Sequence, residues 1–122
     1  LSFYTATIGT AGLVIDGAIR DVAEIRERDY PVYARGVNHR GPYKDGPGEI
    51  NVPVSVGGMV VNPGDIVVGD QDGLLAFSPD EAELLIEKAR AHLETEARTI
   101  QAMKEGRWDR SFLDALEARC AN

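Results

Sequence analysis

Between Pro79 and Gly106 the chain contains no further glycine or proline, whereas both recur every few residues upstream. An uninterrupted stretch of this kind predicts one long helix. Ser78 stands at the N-cap, Pro79 fits the first helical position, and Glu81 completes a capping box. Gly106 ends the segment. Some 25 residues at helical rise extend roughly 38 Å. A compact globule of 122 residues is only about 35 Å across. A helix as long as its own domain protrudes or packs on a neighbour, so segment 79–105 is expected at a subunit interface. Ser111–Arg119 reads as a last short helix carrying Phe112, Leu113 and Leu116.

The upstream part reads as alternating strands and helices. Residues 1–8 resemble the end of a helix or a strand, and Gly9 and Gly12 bracket a turn. Leu13-Val14-Ile15 is a short apolar run before Asp16-Gly17 and predicts a buried strand. Residues 21–28 suit a short helix with Val22 and Ile25 on one face. Asp29-Tyr30-Pro31 ends it, because proline pushes its predecessor out of the α region. Val32-Tyr33-Ala34 is the next strand. A β–α–β unit of this kind makes a parallel pair. Residues 36–49 are rich in Gly and Pro and predict an ordered loop. Ile50–Val56, Met59–Val61, Ile66–Val68 and Leu74–Phe77 then predict a meander of short strands. The separators Gly57-Gly58, Asn62-Pro63-Gly64-Asp65 and Asp70-Gln71-Asp72-Gly73 all have turn chemistry. The whole of 1–122 is expected to be a single α/β domain with a real core.

Charge and cysteine content narrow the function. The formal net charge is -7, with acids and bases interspersed. No basic face is available for a phosphate backbone, so nucleic-acid binding is disfavoured. An acidic protein that takes an anionic substrate needs a local Arg or a metal ion. The one cysteine, Cys120, excludes a disulfide framework and a Cys-rich zinc site within the chain, and a reduced cytoplasmic setting is expected. No apolar run is long enough to span a membrane. The start Leu1-Ser2-Phe3-Tyr4 carries no Met and no charged leader, which suggests a fragment or a processed chain.

The informative segment runs from Gly12 to Glu24. Arg20 and Asp21 follow a strand exit at the mouth of the next helix, where ligands bind in α/β units. A guanidinium there holds a carboxylate or a developing enolate oxygen through its planar fork. A carboxylate there holds a hard divalent cation, with water filling the remaining positions. The pair is expected to face a shared cavity. The alternative is structural: Asp21 as an N-cap, Glu24 as its capping-box partner and Arg20 on the surface.

The runs GLVIDGAIRDVAEI and PVYARGVNHRGPYKDGPGEINVPVSVGGMVVNPGDIVVGDQDGLL resemble the RraA-like family. That family includes class II 4-hydroxy-4-methyl-2-oxoglutarate/4-carboxy-4-hydroxy-2-oxoadipate aldolases and the regulator of ribonuclease activity A. The resemblance covers residues 9–77 most strongly. Its most specific part is an R-D-x-x-E/D signature met by Arg20, Asp21 and Glu24. It implies a swivelling β/β/α fold, like that of phosphohistidine domains, with a long C-terminal helix. Homotrimers or hexamers with sites at subunit interfaces are implied as well. It further implies Mg²⁺, Mn²⁺ or another divalent metal held by Asp21 largely through water, with Glu24 orienting those waters and Arg20 contacting a pyruvyl group. The implied reaction is retro-aldol cleavage of a small 2-oxo acid to release pyruvate, with oxaloacetate decarboxylation beside it. A protein-binding regulator of ribonuclease activity is the other branch. In the family a Gly/Asp-bearing loop that grips the substrate carboxylate precedes the Arg-Asp pair by more residues than precede Arg20 here. The chain is therefore expected to be the C-terminal part of a longer one, or to need a second chain.

Glu96 falls inside the apolar stripe Leu85, Ala89, Leu93, Ile100 and Met103. A carboxylate on an apolar face is costly unless paired or bound. The resemblance implies an acid on this helix that reaches the metal waters of a neighbouring protomer, and Glu96 matches it; pairing with His92 is the alternative. His39 and Arg40, in the Gly/Pro loop, border a pocket or are simply solvated. Asp70-Gln71-Asp72-Gly73 resembles the start of a calcium loop without its later ligands and reads as a plain turn. No nucleophile elbow, P-loop or dinucleotide fingerprint is present.

Overall fold

The computed structural model describes residues 1–120. Contacts divide the chain into two units, Leu1–Pro79 and a second that begins at Asp80.

The first unit begins with helix α1 (Ser2–Thr7) and continues through strand β1 (Leu13–Ile19), helix α2 (Val22–Arg26) and strand β2 (Val32–Val37). β1 and β2 pair in parallel, as the β–α–β pattern requires, with Leu13 opposite Val32 and Ile15 opposite Ala34. The strand does not stop at Ile15. It continues through Asp16-Gly17, and the register then resumes with Ala18 opposite Gly36. β1 thus advances three residues where β2 advances two, which is a bulge. Asp-Gly signals a turn and a bulge equally well, so the sequence alone placed the strand end too early. On both sides of the bulge the alternation is kept, with Leu13, Ile15, Gly17 and Ile19 on the better-covered face.

Two antiparallel hairpins follow: β3 (Val54–Val56) with β4 (Met59–Val61), and β5 (Ile66–Gly69) with β6 (Leu74–Phe77). They form separate two-stranded sheets rather than one continuous meander. Ile50–Pro53 lies outside the first hairpin, contrary to expectation. Asn51 takes φ 63° and Pro53 offers no N–H to a ladder. The turns close through carboxylates. Asp65 accepts from the Asn62 N–H at 2.7 Å, and Asp70 from the N–H groups of Asp72 and Gly73 at 2.8 and 3.2 Å. Asp70–Gly73 is therefore a plain turn. The Asp16 carboxylate ties the first hairpin to β1, accepting from the Gly57 N–H at 3.1 Å while Arg35 on β2 pairs with it at 3.1 Å. Thr5 and Thr10 bond the Tyr30 hydroxyl at 3.0 and 2.7 Å, and the Arg28 guanidinium lies 4.9 Å over the Phe3 ring, which fixes α1 beside the end of α2.

In the second unit a 3₁₀ turn (Pro79–Glu81) leads into helix α3 (Ala82–Lys104). The helix ends in a Schellman motif at Gly106: the Arg107 N–H bonds the Ala102 carbonyl at 2.9 Å and the Gly106 N–H that of Met103 at 3.1 Å. Helix α4 (Ser111–Cys120) follows, with Trp108 edge-on to Phe112 at 5.6 Å.

The expected core is not formed: among the described residues none is buried. Each sheet has only two strands, so an inward side chain is covered on one flank alone. Val37 is 70% exposed and Ile50 92%. On α3, Ile86, Leu93 and Ile100 stay 52%, 63% and 52% exposed.

One tight approach gives a direct test. A Cβ on Gly69 would stand 2.6 Å from Leu74 Cδ2 and 2.7 Å from the Tyr33 hydroxyl. Gly69→Ala is expected to cost ~1–3 kcal/mol in urea unfolding, since the Tyr33 ring must shift. A second test concerns α4. The Ser111 N–H donates to the Asp109 carboxylate at 2.9 Å. That bond, followed by one from the Ser111 hydroxyl, lowers the Asp109 pKa below the usual aspartate value. A depressed native pKa means the contribution is complete above the unfolded value and lost as pH falls through the native one. The Ser111 amide signal should therefore titrate below the ordinary aspartate range, with the first turn of α4 fraying as it does.

Candidate active site at the β1–α2 turn

The chain turns from β1 into α2 in two residues, Arg20 and Asp21. Asp21 occupies the N-cap position, and its carbonyl accepts the Ile25 N–H at 3.0 Å. Its backbone, however, is left-handed, at φ 61° and ψ 34°. An ordinary N-cap sits in the β region with its side chain bonded to the helix amides. Asp21 makes no such bond. The capping-box alternative therefore fails at both ends, because Glu24 does not reach back to residue 21 but pairs with Arg28 one turn further on. The Asp21 carboxylate is left to its neighbour: Arg20 Nε stands 3.5 Å from Asp21 Oδ2.

Gly41 also lies near the guanidinium. A Cβ there would lie 3.7 Å from an Arg20 terminal nitrogen. The Gly/Pro loop is brought to this point because the Asn38 N–H continues the strand ladder to the Ile19 carbonyl at 2.8 Å.

The expected cavity is not seen: among the described residues, neither Arg20 nor Asp21 lines either of the two principal hollows. The Arg20 and Asp21 side chains are 55% and 65% exposed. The hollow of the first unit, about 310 Å³, lies elsewhere, between Asp16, Tyr33, Arg35, Gly57, Met59 and Leu74. Another, of about 440 Å³, runs along α3 past Ile86 and Arg90. Glu96 belongs to α3, 54% exposed, with His92 Nε2 3.2 Å from its Oε1. The structure thus joins Arg20 to Asp21, Glu24 to Arg28 and Glu96 to His92. The Asp16–Arg35 pair was missed in the sequence, where Asp16 was placed just past the apolar run and given no role; an acid following an apolar strand was the available signal.

The donor chemistry fits one kind of cation. No three His, Cys, Asp or Glu side chains gather among the described residues, so a caged ion does not fit. A carboxylate free of capping bonds, presented at a turn open to water, does fit a hard divalent ion that keeps most of its own hydration.

Comparison with known proteins supplies the family. The model for the RraA-like family, described as Aldolase/RraA, matches residues 2–76. The chain belongs to the RraA-like family. It is 42% identical over 84 residues to a Halalkalibacterium halodurans protein named "Putative 4-hydroxy-4-methyl-2-oxoglutarate aldolase", covering 69% of this chain and 40% of that one. It is 35% identical over 106 residues to an uncharacterized protein of Methanocaldococcus jannaschii, covering 87% and 51%. Among solved structures, an uncharacterized protein from Pseudomonas syringae pv. tomato superposes with a TM-score of 0.72 at 29% identity, over 86% of this chain and 50% of that chain. Streptomyces coelicolor RraAS2, described as an unusual member of the RNase ES inhibitor RraA protein family, gives 0.66 at 32%, over 80% and 50%. The chain spans about half the length of these relatives, or less. Its fold is the RraA-like α/β fold with a long C-terminal helix. No helix among the described residues is long and apolar enough to cross a membrane.

The strained turn is testable without any substrate. Glycine adopts a positive φ freely, whereas alanine there costs about 1–2 kcal/mol. Asp21→Gly is expected to match or exceed the wild type in thermal stability, and Asp21→Ala to fall below it by about that amount. Equal losses in both would mean that the carboxylate itself holds the turn.

Proposed function

We propose that this turn is the pyruvyl-handling part of a divalent-metal-dependent aldolase that cleaves 4-hydroxy-4-methyl-2-oxoglutarate-type acids, with oxaloacetate decarboxylation as a second activity. The observation that carries the reading is the uncapped, left-handed Asp21 beside the Arg20 guanidinium. The similarity to the H. halodurans protein supports it.

In the cleavage the 4-hydroxyl loses its proton and the C3–C4 bond breaks. The electron pair moves through C3 onto the C2 oxygen, giving pyruvate enolate and a second pyruvate. Decarboxylation of oxaloacetate ends in the same enolate, with carbon dioxide as the leaving group. In both, negative charge grows on the C2 oxygen. Arg20 offers fixed N–H donors to that oxygen, and such donors matter most where charge develops. Asp21 would hold Mg²⁺ or Mn²⁺. The ion, when bound, supplies positive charge to the same end of the substrate. Glu24, fixed by Arg28, holds a second carboxylate one turn along α2, suited to orienting water near the ion. Glu96 from a neighbouring copy is the further carboxylate the reading admits, in a trimer or hexamer or with a second chain completing the site.

A second reading has its own support. The similarity to RraAS2 and the net charge of -7 suit a regulator that binds a basic segment of a ribonuclease-associated protein. It needs no particular residue at position 21.

The deciding measurement is pyruvate release from 4-hydroxy-4-methyl-2-oxoglutarate and from oxaloacetate with Mg²⁺. Chelator is expected to abolish it. Arg20→Ala and Asp21→Ala are each expected to lower kcat by about 10²-fold or more, the scale of losing one charge-stabilising group. No turnover of either acid by the full-length protein, or an Asp21→Ala protein as active as the wild type, would end the aldolase reading. Salt-sensitive capture of a basic ribonuclease segment without turnover would favour the regulator.

A further inference from the structure

The acids named above carry two carboxylates, and the Arg20–Asp21 turn accounts for only the pyruvyl end. A dianion approaching a chain of net charge -7 needs a second local cation to be held in one orientation. The Gly/Pro loop supplies a candidate. Its residue Gly41 lies against the Arg20 guanidinium, at 3.7 Å for a Cβ built there. The neighbouring Arg40 is one peptide, and so about 3.8 Å between Cα atoms, from that contact. Its position is fixed twice. Asn38 extends the β1–β2 ladder through its N–H to the Ile19 carbonyl at 2.8 Å. The Asn38 side-chain oxygen then accepts the Arg40 N–H at 3.0 Å, an Asx turn just ahead of the Gly41 contact. Arg40 is exposed and takes part in none of the ion pairs among the described residues. It contrasts with Arg28 and Arg35, whose charges are used by Glu24 and Asp16.

We infer that Arg40 is the specificity-determining cation for the far carboxylate of a dicarboxylic 2-oxo acid whose pyruvyl end is held at Arg20. The inference rests on the aldolase reading and names its substrate class. The guanidinium is permanently charged and matches a carboxylate with two parallel N–H bonds. A monocarboxylic 2-oxo acid has nothing for it to hold. Arg40 therefore sets the ratio of affinities between the two classes and leaves the pyruvyl end alone.

The test is calorimetric binding of pyruvate and of 2-oxoglutarate to the whole chain in Mg²⁺. Arg40→Ala is expected to weaken 2-oxoglutarate about tenfold, the lower end for a hydrogen-bonded charge at an exposed site, with pyruvate unchanged. Arg40→Gln, which keeps a polar side chain without the charge, should behave the same way, and Arg40→Lys should retain part of the preference. Lys44→Ala, a charge loss in the same loop beyond Pro42, should leave the ratio as it is. An unchanged ratio in Arg40→Ala, an equal loss for both acids, or a Lys44→Ala effect as large as that of Arg40→Ala would overturn the assignment while the aldolase reading stands. A wild-type chain that binds neither acid would remove the aldolase reading and this inference with it.

Discussion

The shortness of the crossover between β1 and β2 governs the rest of the first unit. A parallel pair needs a connection of about a dozen residues or more. Here residues 20–31 must leave one strand, form a helix, turn at Pro31 and enter the next strand. That is close to the minimum, so α2 has room only for Val22–Arg26 and the turn into it is confined to Arg20 and Asp21. A reversal this tight is reached by placing one residue in the left-handed region. Asp21 takes that role, and because its backbone is turned away from the N-cap geometry, its carboxylate is released from the helix amides. The availability of the carboxylate follows from chain length rather than from a dedicated binding loop.

The same economy explains the missing core. The apolar residues are patterned correctly: β1 alternates, α2 has Val22 and Ile25 on one side, and the hairpins offer Val, Met and Leu. What is lacking is a second layer. Three sheets of two strands present faces, and little in 1–79 lies over them. Leu93, at 63% exposed, leaves the α3 stripe in the same condition within its own unit. Contiguous apolar surface of this kind marks places where further polypeptide packs. The part of this chain that matches its relatives corresponds to about half of their length. The Arg20–Asp21 pair shares the exposure of these faces, at 55% and 65% of its side-chain surface.

Much of this was legible in the residues. The parallel pair, the three turns between short strands, the long helix and the stop at Gly106 all follow from period, proline placement and turn chemistry, because those signals are local. Three features were not legible, each for a physical reason. Asp16-Gly17 is a bulge rather than a strand end, and only the partner's register distinguishes the two. Ile50 and Asn51 look like strand residues but precede Pro53, and Asn51 is one of the few residue types that tolerate the positive φ found there. Burial was overestimated because composition reports how much apolar surface exists, not whether anything is positioned to cover it. At the site, Arg20 and Asp21 were legible as a pair. That D-x-x-E is not a capping box was not, since the pattern is the same whether Glu24 turns back to residue 21 or forward to Arg28.

The two functional readings place different demands on residue 21, and this separates them physically. A regulator recognised by its acidic surface uses charge summed over many positions, so a carboxylate at one turn is worth no more there than elsewhere. Glycine would serve that turn with less backbone strain. An aldolase needs an oxygen donor at this point, beside a guanidinium that faces the same substrate atom, and the strain at φ 61° is then the cost of keeping it. Asp, like Asn, is among the few residue types that enter the left-handed region, and the Asp21 side chain makes no capping bond to the helix. On the proposed aldolase reading the turn carries the chemistry, with the acidic surface as a property of the whole chain that either role tolerates.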